Sequence, residues 1–293
     1  PPAVLSFPMR YRLIAIDLDG TLLCPEGNVS DENRVALHAA HEAGAMILPC
    51  TGRGWRESRR VVASIPDTEV GVFNTGAMVV GLRDGKTYSR TAFEEDLARD
   101  LVGLMAEQEE AVLLYTDPGQ TGYEYVVTGQ GEPTKNTRWW FEHNGLRWAH
   151  QQALDPSLLG HIVRVGSIAL AARARRVVES IRAAFGDRVE AFSFEALQDP
   201  GSVEPSHIVE CFSAGVTKWR GIDWVARQHG IESDEIAVIG DQINDVPMFE
   251  KAGCAVAMGN AIPAIKASAH YHTLRNDEHG VAHAIQNMLD GQW

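Results

Sequence analysis

No run in this 293-residue chain approaches 18 consecutive apolar residues, so nothing in it reads as a bilayer span. Positive charge is scarce: 26 Lys and Arg stand against 39 Asp and Glu, a net charge of −13. That balance excludes a broad nucleic-acid surface and an anionic-membrane anchor, yet leaves room for a local basic pocket around one phosphate. The four cysteines, Cys24, Cys50, Cys211 and Cys254, are dispersed, and no two are spaced as a CxxC zinc or redox pair. A reducing, cytoplasmic setting is the expectation. There is no GxxxxGKS or GxxxxGKT segment, which excludes a P-loop nucleotide triphosphatase. Pro1 to Arg10 is apolar but has no charged leading region or cleavage site, so no signal peptide is expected. What remains is ordinary for a globular chain, 45% hydrophobic and 22% charged. It is long enough for about two domains and a core that needs no disulfide.

The first 80 residues alternate short apolar runs with helical stretches. Tyr11 to Ile16, Ala45 to Leu48 and Val70 to Phe73 read as buried strands. Val35 to Ala43 and Arg56 to Ile65 read as helices ending at Gly44 and Pro66. This pattern predicts βαβ units and a parallel sheet. Asn28-Val29-Ser30 fits a glycosylation sequon, but Ser30 followed by Asp31 and Glu32 reads better as a helix entry. The middle is different. Ala111 to Tyr115 and Tyr123 to Thr128 alternate like half-exposed strands around an Asp117-Pro-Gly119 turn. Further strands are expected at Ile162 to Leu170, Val189 to Phe194 and His207 to Phe212, with helices at Phe93 to Gln108, Thr134 to Asn144 and Ala171 to Phe185. After Ser213 the first pattern resumes, with strands at Ile236 to Ile239 and Cys254 to Ala257 and helices at Lys218 to His229, Asn244 to Ala252, Pro263 to Ala267 and Val281 to Leu289. The prediction is an α/β protein. A Rossmann-like parallel-sheet core, 1–82 with 213–293, is interrupted by an α+β domain on an antiparallel sheet, 83–212.

Three polar loops follow predicted core strands. Asp17-Leu18-Asp19-Gly20-Thr21 places two carboxylates where open α/β sheets bind ligands; they point the same way while the chain stays extended. Thr51-Gly52-Arg53 offers a hydroxyl, exposed amides and a cation suited to a phosphate oxygen. Gly240-Asp241-Gln242-Ile243-Asn244-Asp245 puts two carboxylates and an amide on one loop, which suits a hard cation. Lys218 opens a helix just where the core resumes. Taken together, at one edge of one sheet, these residues suit phosphoryl transfer, which needs positioning and charge neutralisation. The residues alone do not separate the roles of Asp17 and Asp19.

In this order, Asp17-x-Asp19-Gly20-Thr21, Thr51, Lys218 and Gly240-Asp241-x-x-Asn244-Asp245 resemble the four motifs of the haloacid dehalogenase (HAD) superfamily. Thr51-Gly52-Arg53, Asn74-Thr75-Gly76-Ala77 and Ala257-Met258-Gly259-Asn260-Ala261 resemble its Cof-like branch, and the insert resembles a C2-type cap of subclass B. The resemblance implies a Mg²⁺-dependent phosphatase of small phosphorylated metabolites, sugar phosphates foremost, with a cap that sets selectivity. It implies that Asp17 is the nucleophile, forming an aspartyl-phosphate, and that Asp19 is acid and then base. Thr51 and Lys218 would hold phosphoryl oxygens, with Gly20, Gly52, Arg53 and Asn244 on the phosphate or substrate side. Mg²⁺ would be held by Asp17, the Asp19 carbonyl and Asp241, with Asp245 behind them. A phosphosugar mutase and a silent phosphometabolite-binding protein are the alternatives; intact Asp17, Asp19, Lys218 and Asp241 argue against the second.

Other features carry less. Gly129-Gln130-Gly131-Glu132-Pro133-Thr134 begins like GxGxxG but lacks the third glycine, and reads as a loop. His270-Tyr271-His272 reads as a strand edge, not a metal site. Trp139, Trp140 and Trp148 read as packing residues of the insert. Met258-Gly259-Asn260 follows a strand and is placed at the core edge.

Overall fold

The structure, a computed structural model, describes residues 9–195 and 206–293. Most of the Pro1 to Arg10 segment, with its signal-peptide expectation, lies outside them. The chain opens with β1 (Leu13–Asp17), α1 (Asp31–Glu42), β2 (Met46–Cys50), α2 (Trp55–Val62), β3 (Val70–Phe73), β4 (Met78–Gly81) and β5 (Thr87–Arg90). Ser30 caps α1, its side chain accepting from Asn33 N at 3.2 Å, so the sequon-like triplet is a helix entry. β4 and β5 are not among the expected strands; at four residues each they are too short to show a clear period. They form an antiparallel extension of β3 that carries the sheet past the expected boundary at 83.

The second segment holds α3 (Glu95–Ala106), β6 (Val112–Thr116), α4 (Pro118–Thr121), β7 (Tyr125–Thr128), α5 (Lys135–Asn144), β8 (Trp148–His150), β9 (Ile162–Leu170), α6 (Ala171–Phe185), β10 (Val189–Glu195) and β11 (Ser206–Ser213). Its sheet runs β10-β11-β9-β6-β7-β8, antiparallel throughout apart from the parallel β7–β8 pair. On one face Val112, Leu114, Val126, Val165 and Val209 pack with Leu101 of α3 and Ile181 of α6. β6 and β7 are buried along their whole length, not half-exposed as their alternation suggests. The second face is covered as well. Phe141 of α5 lies 4.9 Å from the Tyr125 ring, and Arg164 sits over the rings of Tyr115 and Tyr125. Of the three tryptophans, Trp148 packs on Phe141 and Trp139 stacks on His143, but all three stay partly exposed outside the main core.

The chain then returns through α7 (Lys218–Gln228), β12 (Ile236–Gly240), α8 (Val246–Phe249), β13 (Cys254–Ala257), α9 (Pro263–Ser268), β14 (Tyr271–His272) and α10 (Gly280–Leu289). The expected helix from Asn244 is shorter than predicted, a 3₁₀ turn leading into α8, with Pro247 in its first turn. The first sheet is eight-stranded, in the order β14-β13-β12-β1-β2-β3-β4-β5. β1 pairs in parallel with both β12 and β2, and Leu13 to Ile16 are fully buried. Such runs form where helices cover both faces of a parallel sheet. The chain leaves β1 toward β2 on one side and later reaches β12 on the other, so the carboxyl end of β1 is a topological switch point. The compact units are Pro1–Ser89 with Thr217–Trp293, and Arg90–Val216. Among the described residues no helix is long and apolar enough to cross a membrane.

Candidate active site

The residues to which the sequence assigned catalysis, phosphate or metal come from the carboxyl ends of β1, β2 and β12 and from the start of α7. Asp17 is the last residue of β1 and pairs in register with Cys50 of β2. The chain does not stay extended after it. Leu18 to Leu22 turn tightly, closing on a bond from Leu23 N to Leu18 O at 2.9 Å, with Gly20 at φ 77°. Asp17 is therefore buried while the Asp19 side chain is 52% exposed. Any side chain at position 20 would be strained, and its Cβ would come within 2.5 Å of Asp241 Oδ2. Glycine is thus what lets the β12 loop approach the β1 loop.

Lys218 joins the two loops from below. Its Nζ donates to Asp17 Oδ1 at 2.5 Å and to Asp245 Oδ1 at 2.6 Å, and the side chain is fully buried. The second oxygen of Asp245 accepts from the amides of Asp241 (2.9 Å) and Gln242 (3.0 Å), which folds the β12 loop around it. Asp241 is oriented in turn by Thr21, whose hydroxyl donates to its Oδ1 at 2.8 Å. Thr51 is buried; its Oγ1 accepts from Arg53 N at 3.2 Å, leaving the hydroxyl proton to donate elsewhere. Arg53 reaches across to Asp19, Nε donating to Oδ2 at 2.8 Å and Nη2 to Oδ1. Gly52 lies beside Thr75 and Asn244: a Cβ there would sit 3.5 Å from Thr75 Oγ1 and 3.9 Å from Asn244 Nδ2. Asn244 Oδ1 is buried with no protein partner among the described residues.

The electrostatics follow from packing these charges together. Burial raises the Asp17 carboxyl well above the ordinary carboxylate range, opposed by Lys218 and reinforced by Asp245 and Asp241. Burial likewise pushes Asp241 up to about 6, against the hydroxyl of Thr21. Burial disfavours the Lys218 ammonium, but Asp17 and Asp245 outweigh it and hold the group above its usual value. One oxygen each from Asp17, Asp241 and Asp245 lies within 4.8 Å of the others. Three buried carboxylates against one ammonium leave an excess of negative charge and oxygen donors that fits a hard divalent cation, with Asp245 itself already engaged by Lys218 and two amides.

The sequence reading gave no role to Thr21, although it stands inside the first motif. It also gave none to Asn74 and Thr75, which adopt positive φ of 49° and 56° in the turn beside Thr51. Thr75 N donates to Thr51 O at 3.1 Å, so that turn helps to hold Thr51. The signal available was Asn-Thr-Gly after a buried strand.

A mixed sheet with a buried cluster of carboxylates and a lysine at its switch point has the architecture of an α/β protein that receives ligands outside the carboxyl ends of its strands. The family profile of haloacid dehalogenase-like hydrolases matches residues 14–285, and the chain belongs to that family. It is accordingly a hydrolase, and the resemblance read from its four motifs is borne out. Its relatives include the putative phosphatase YxeH of Bacillus subtilis (strain 168), 31% identical over 293 residues, 95% of this chain and 98% of the relative. The 5-amino-6-(5-phospho-D-ribitylamino)uracil phosphatase YwtE of the same organism is 28% identical over 295 residues, 96% and 99% of the two chains. Among solved structures, a haloacid dehalogenase-like hydrolase from Bacteroides thetaiotaomicron matches with a TM-score of 0.76, covering 95% of this chain and 99% of the other. At 21% identity that likeness is one of fold.

Proposed function

We propose that this hydrolase of phosphoric monoesters is Mg²⁺-dependent, acts on small phosphorylated metabolites with sugar phosphates foremost, and works through Asp17. The observation that carries the reading is the fully buried Lys218 bridging Asp17 and Asp245 beside Asp241. Mg²⁺ is assigned to Asp17, Asp241 and the Asp19 carbonyl, since both oxygens of Asp245 are already engaged. When bound, it supplies the positive charge that neutralises these carboxylates and a phosphoryl group.

A carboxylate oxygen of Asp17 attacks phosphorus, and the ester P–O bond breaks as the aspartyl-phosphate forms. Asp19 is the acid of this step and gives a proton to the departing alkoxide. Asp19 then takes a proton from the water that attacks phosphorus, which releases phosphate and restores Asp17. Lys218 and the Thr51 hydroxyl hold phosphoryl oxygens, and Asn244, whose Oδ1 is buried, is assigned to the phosphate side. The Arg90–Val216 unit is read as the cap that selects the substrate. Four unpaired cysteines support a reducing, cytoplasmic setting. Phosphate release measured over a panel of phosphorylated sugars, nucleotides and cofactor phosphates, with and without Mg²⁺, tests the reading. Asp17→Asn should abolish turnover and leave the fold intact; near-wild-type release by that variant would remove Asp17 as nucleophile.

A further inference from the structure

The sequence singles out Ala257-Met258-Gly259-Asn260-Ala261, yet no step of the proposed reaction uses it. The segment leaves β13, next to β12, at the sheet edge that carries Asp17 and Asp241. Its backbone is tied to the Asp241 loop: Met258 N donates to Gly240 O at 3.1 Å and Ile262 N to Asp241 O at 3.0 Å. Its side-chain amide reaches the other loop, Asn260 Nδ2 donating to Gly20 O at 2.7 Å. The other end of that amide is also used, Oδ1 accepting from Asn276 N at 3.0 Å, which fixes the plane of the group. Gly259 permits this approach, since a Cβ there would lie 2.9 Å from Arg275 N.

The carbonyl that Asn260 holds is well placed to matter. Gly20 follows Asp19 in the tight turn, and fixing its carbonyl fixes the peptide plane leading into Thr21, whose hydroxyl orients Asp241. Two other asparagines hold carbonyls at the end of the turn, Asn33 on Leu22 O at 3.3 Å and Asn276 on Leu23 O at 2.8 Å. Asn260 grips inside the turn, and it belongs to the segment bonded to the Asp241 loop. We propose that Asn260 is a positioning residue: it sets the spacing of the Asp17–Asp19 loop against Asp241, and with it the geometry in which a cation and a phosphoryl group are received. The inference rests on the phosphatase reading given under Proposed function.

The test compares the full-length protein with Asn260→Ala and Asn260→Asp. The aspartate keeps the size and the oxygen facing Asn276 N, but puts an oxygen where the donor to Gly20 O stood. Steady-state phosphate release from p-nitrophenyl phosphate, calorimetry with Mg²⁺ alone, and amide hydrogen exchange of the metal-free protein are measured for each. Both variants should lose about 10- to 100-fold in kcat and in Mg²⁺ affinity, the usual cost of removing a group that orients site residues from behind. KM should stay within about threefold, because the substrate is not touched directly. Exchange over residues 17–24 should quicken, while exchange in β9 is unchanged. Retained kcat and Mg²⁺ affinity in both variants would overturn the proposal. So would an Asn260→Asp protein that behaves as wild type, since the bond to Asn276 would then suffice. If the wild type itself releases no phosphate, the phosphatase reading falls instead, and the brace is judged on exchange alone: unchanged exchange over 17–24 in the variants overturns it.

Discussion

Arg53 holds the carboxylate of Asp19 with two nitrogens of its guanidinium, Nε on Oδ2 at 2.8 Å and Nη2 on Oδ1. The Asp19 side chain is half exposed, so this pair stabilises the fold by at most about 1 kcal/mol. Its value lies in direction: a planar fork on a carboxylate fixes where the oxygens point. The sequence reading placed Arg53 on the phosphate side; the structure pairs it with the carboxylate proposed as acid and base.

Arg53→Ala should therefore cost activity and not stability. We expect kcat on a sugar phosphate to fall about tenfold, the range seen when a supporting partner of a site residue is lost. The melting temperature should move by no more than about 2–4 °C. Arg53→Lys should not restore the rate, because an ammonium is a point charge that cannot grip two oxygens in one plane. Kinetics and thermal melts of the two variants check this; a fully active Arg53→Ala would show the pair to be idle.

The carboxylate cluster predicts an unusual pH dependence for the metal-free protein. Asp241 is pushed up to about 6 from an ordinary 3.8, so between those values the folded chain binds its proton more tightly than the unfolded chain. The stability this contributes is fully present below about pH 4 and is lost as pH rises through about 6. Asp17, also raised, acts in the same direction. Protein stripped of metal with a chelator should melt at a lower temperature at about pH 8 than at about pH 5. Mg²⁺ should raise the melting temperature more at the higher pH, since it binds the deprotonated carboxylates. Asp241→Asn should flatten the slope. An equal Mg²⁺ increment at both pH values would count against the cluster as the cation site.

Much of this was legible in the sequence because the chemistry sits at strand ends. Buried parallel strands such as Ile236–Gly240 are continuous apolar runs, and the polar loops that follow them stand out. What escaped has physical reasons. β8 is three residues long, too short to show a period. β6 and β7 alternate in sequence but are covered on both faces, because Phe141 and Arg164 fill the side expected to meet water. Gly20 marks a sharp turn in the sequence, but Asp-x-Asp-Gly fits an extended strand end through Asp19 as well as a tight turn directly after Asp17; the close approach of Gly20 to Asp241, over 200 residues away, goes with the second. The bonds from Asn260 and Arg53 join segments far apart in the chain, and no local pattern reports such partners.

In the Arg90–Val216 unit, Arg164 and Glu210 form an ion pair at 2.6 Å with both side chains less than 10% exposed. Arg164 also donates to the Tyr125 hydroxyl. Removing one partner breaks a buried ion pair, which typically costs about 3–5 kcal/mol. Arg164→Met should lower stability by that order in urea titrations. Combining it with Glu210→Leu should recover most of the loss, because two apolar groups need no desolvation of charge. A double variant as unstable as the single one would mean that the other contacts of Arg164, not the pairing, carry the effect.

The placement of Asp19 leads to a prediction that separates its two proposed tasks. Asp17 is buried against Lys218, whereas Asp19 stands at the open side of the turn, its carboxylate steered by Arg53. General acid–base help is worth about 10²–10⁴ in rate, or about 3–5 kcal/mol of barrier. The alkoxide leaving a sugar phosphate needs that proton; nitrophenolate, already a stable anion, needs it far less. Asp19→Ala should therefore nearly abolish sugar-phosphate hydrolysis. With p-nitrophenyl phosphate it should give a burst of nitrophenolate and then very slow turnover, because the aspartyl-phosphate on Asp17 no longer has a base to activate water. Rapid-mix kinetics would record the burst, and intact-mass measurement would show the phosphorylated protein accumulating with it. Equal losses on both substrates, with no phosphoprotein, would leave Asp19 as a holder of the turn through its backbone and remove it from proton transfer.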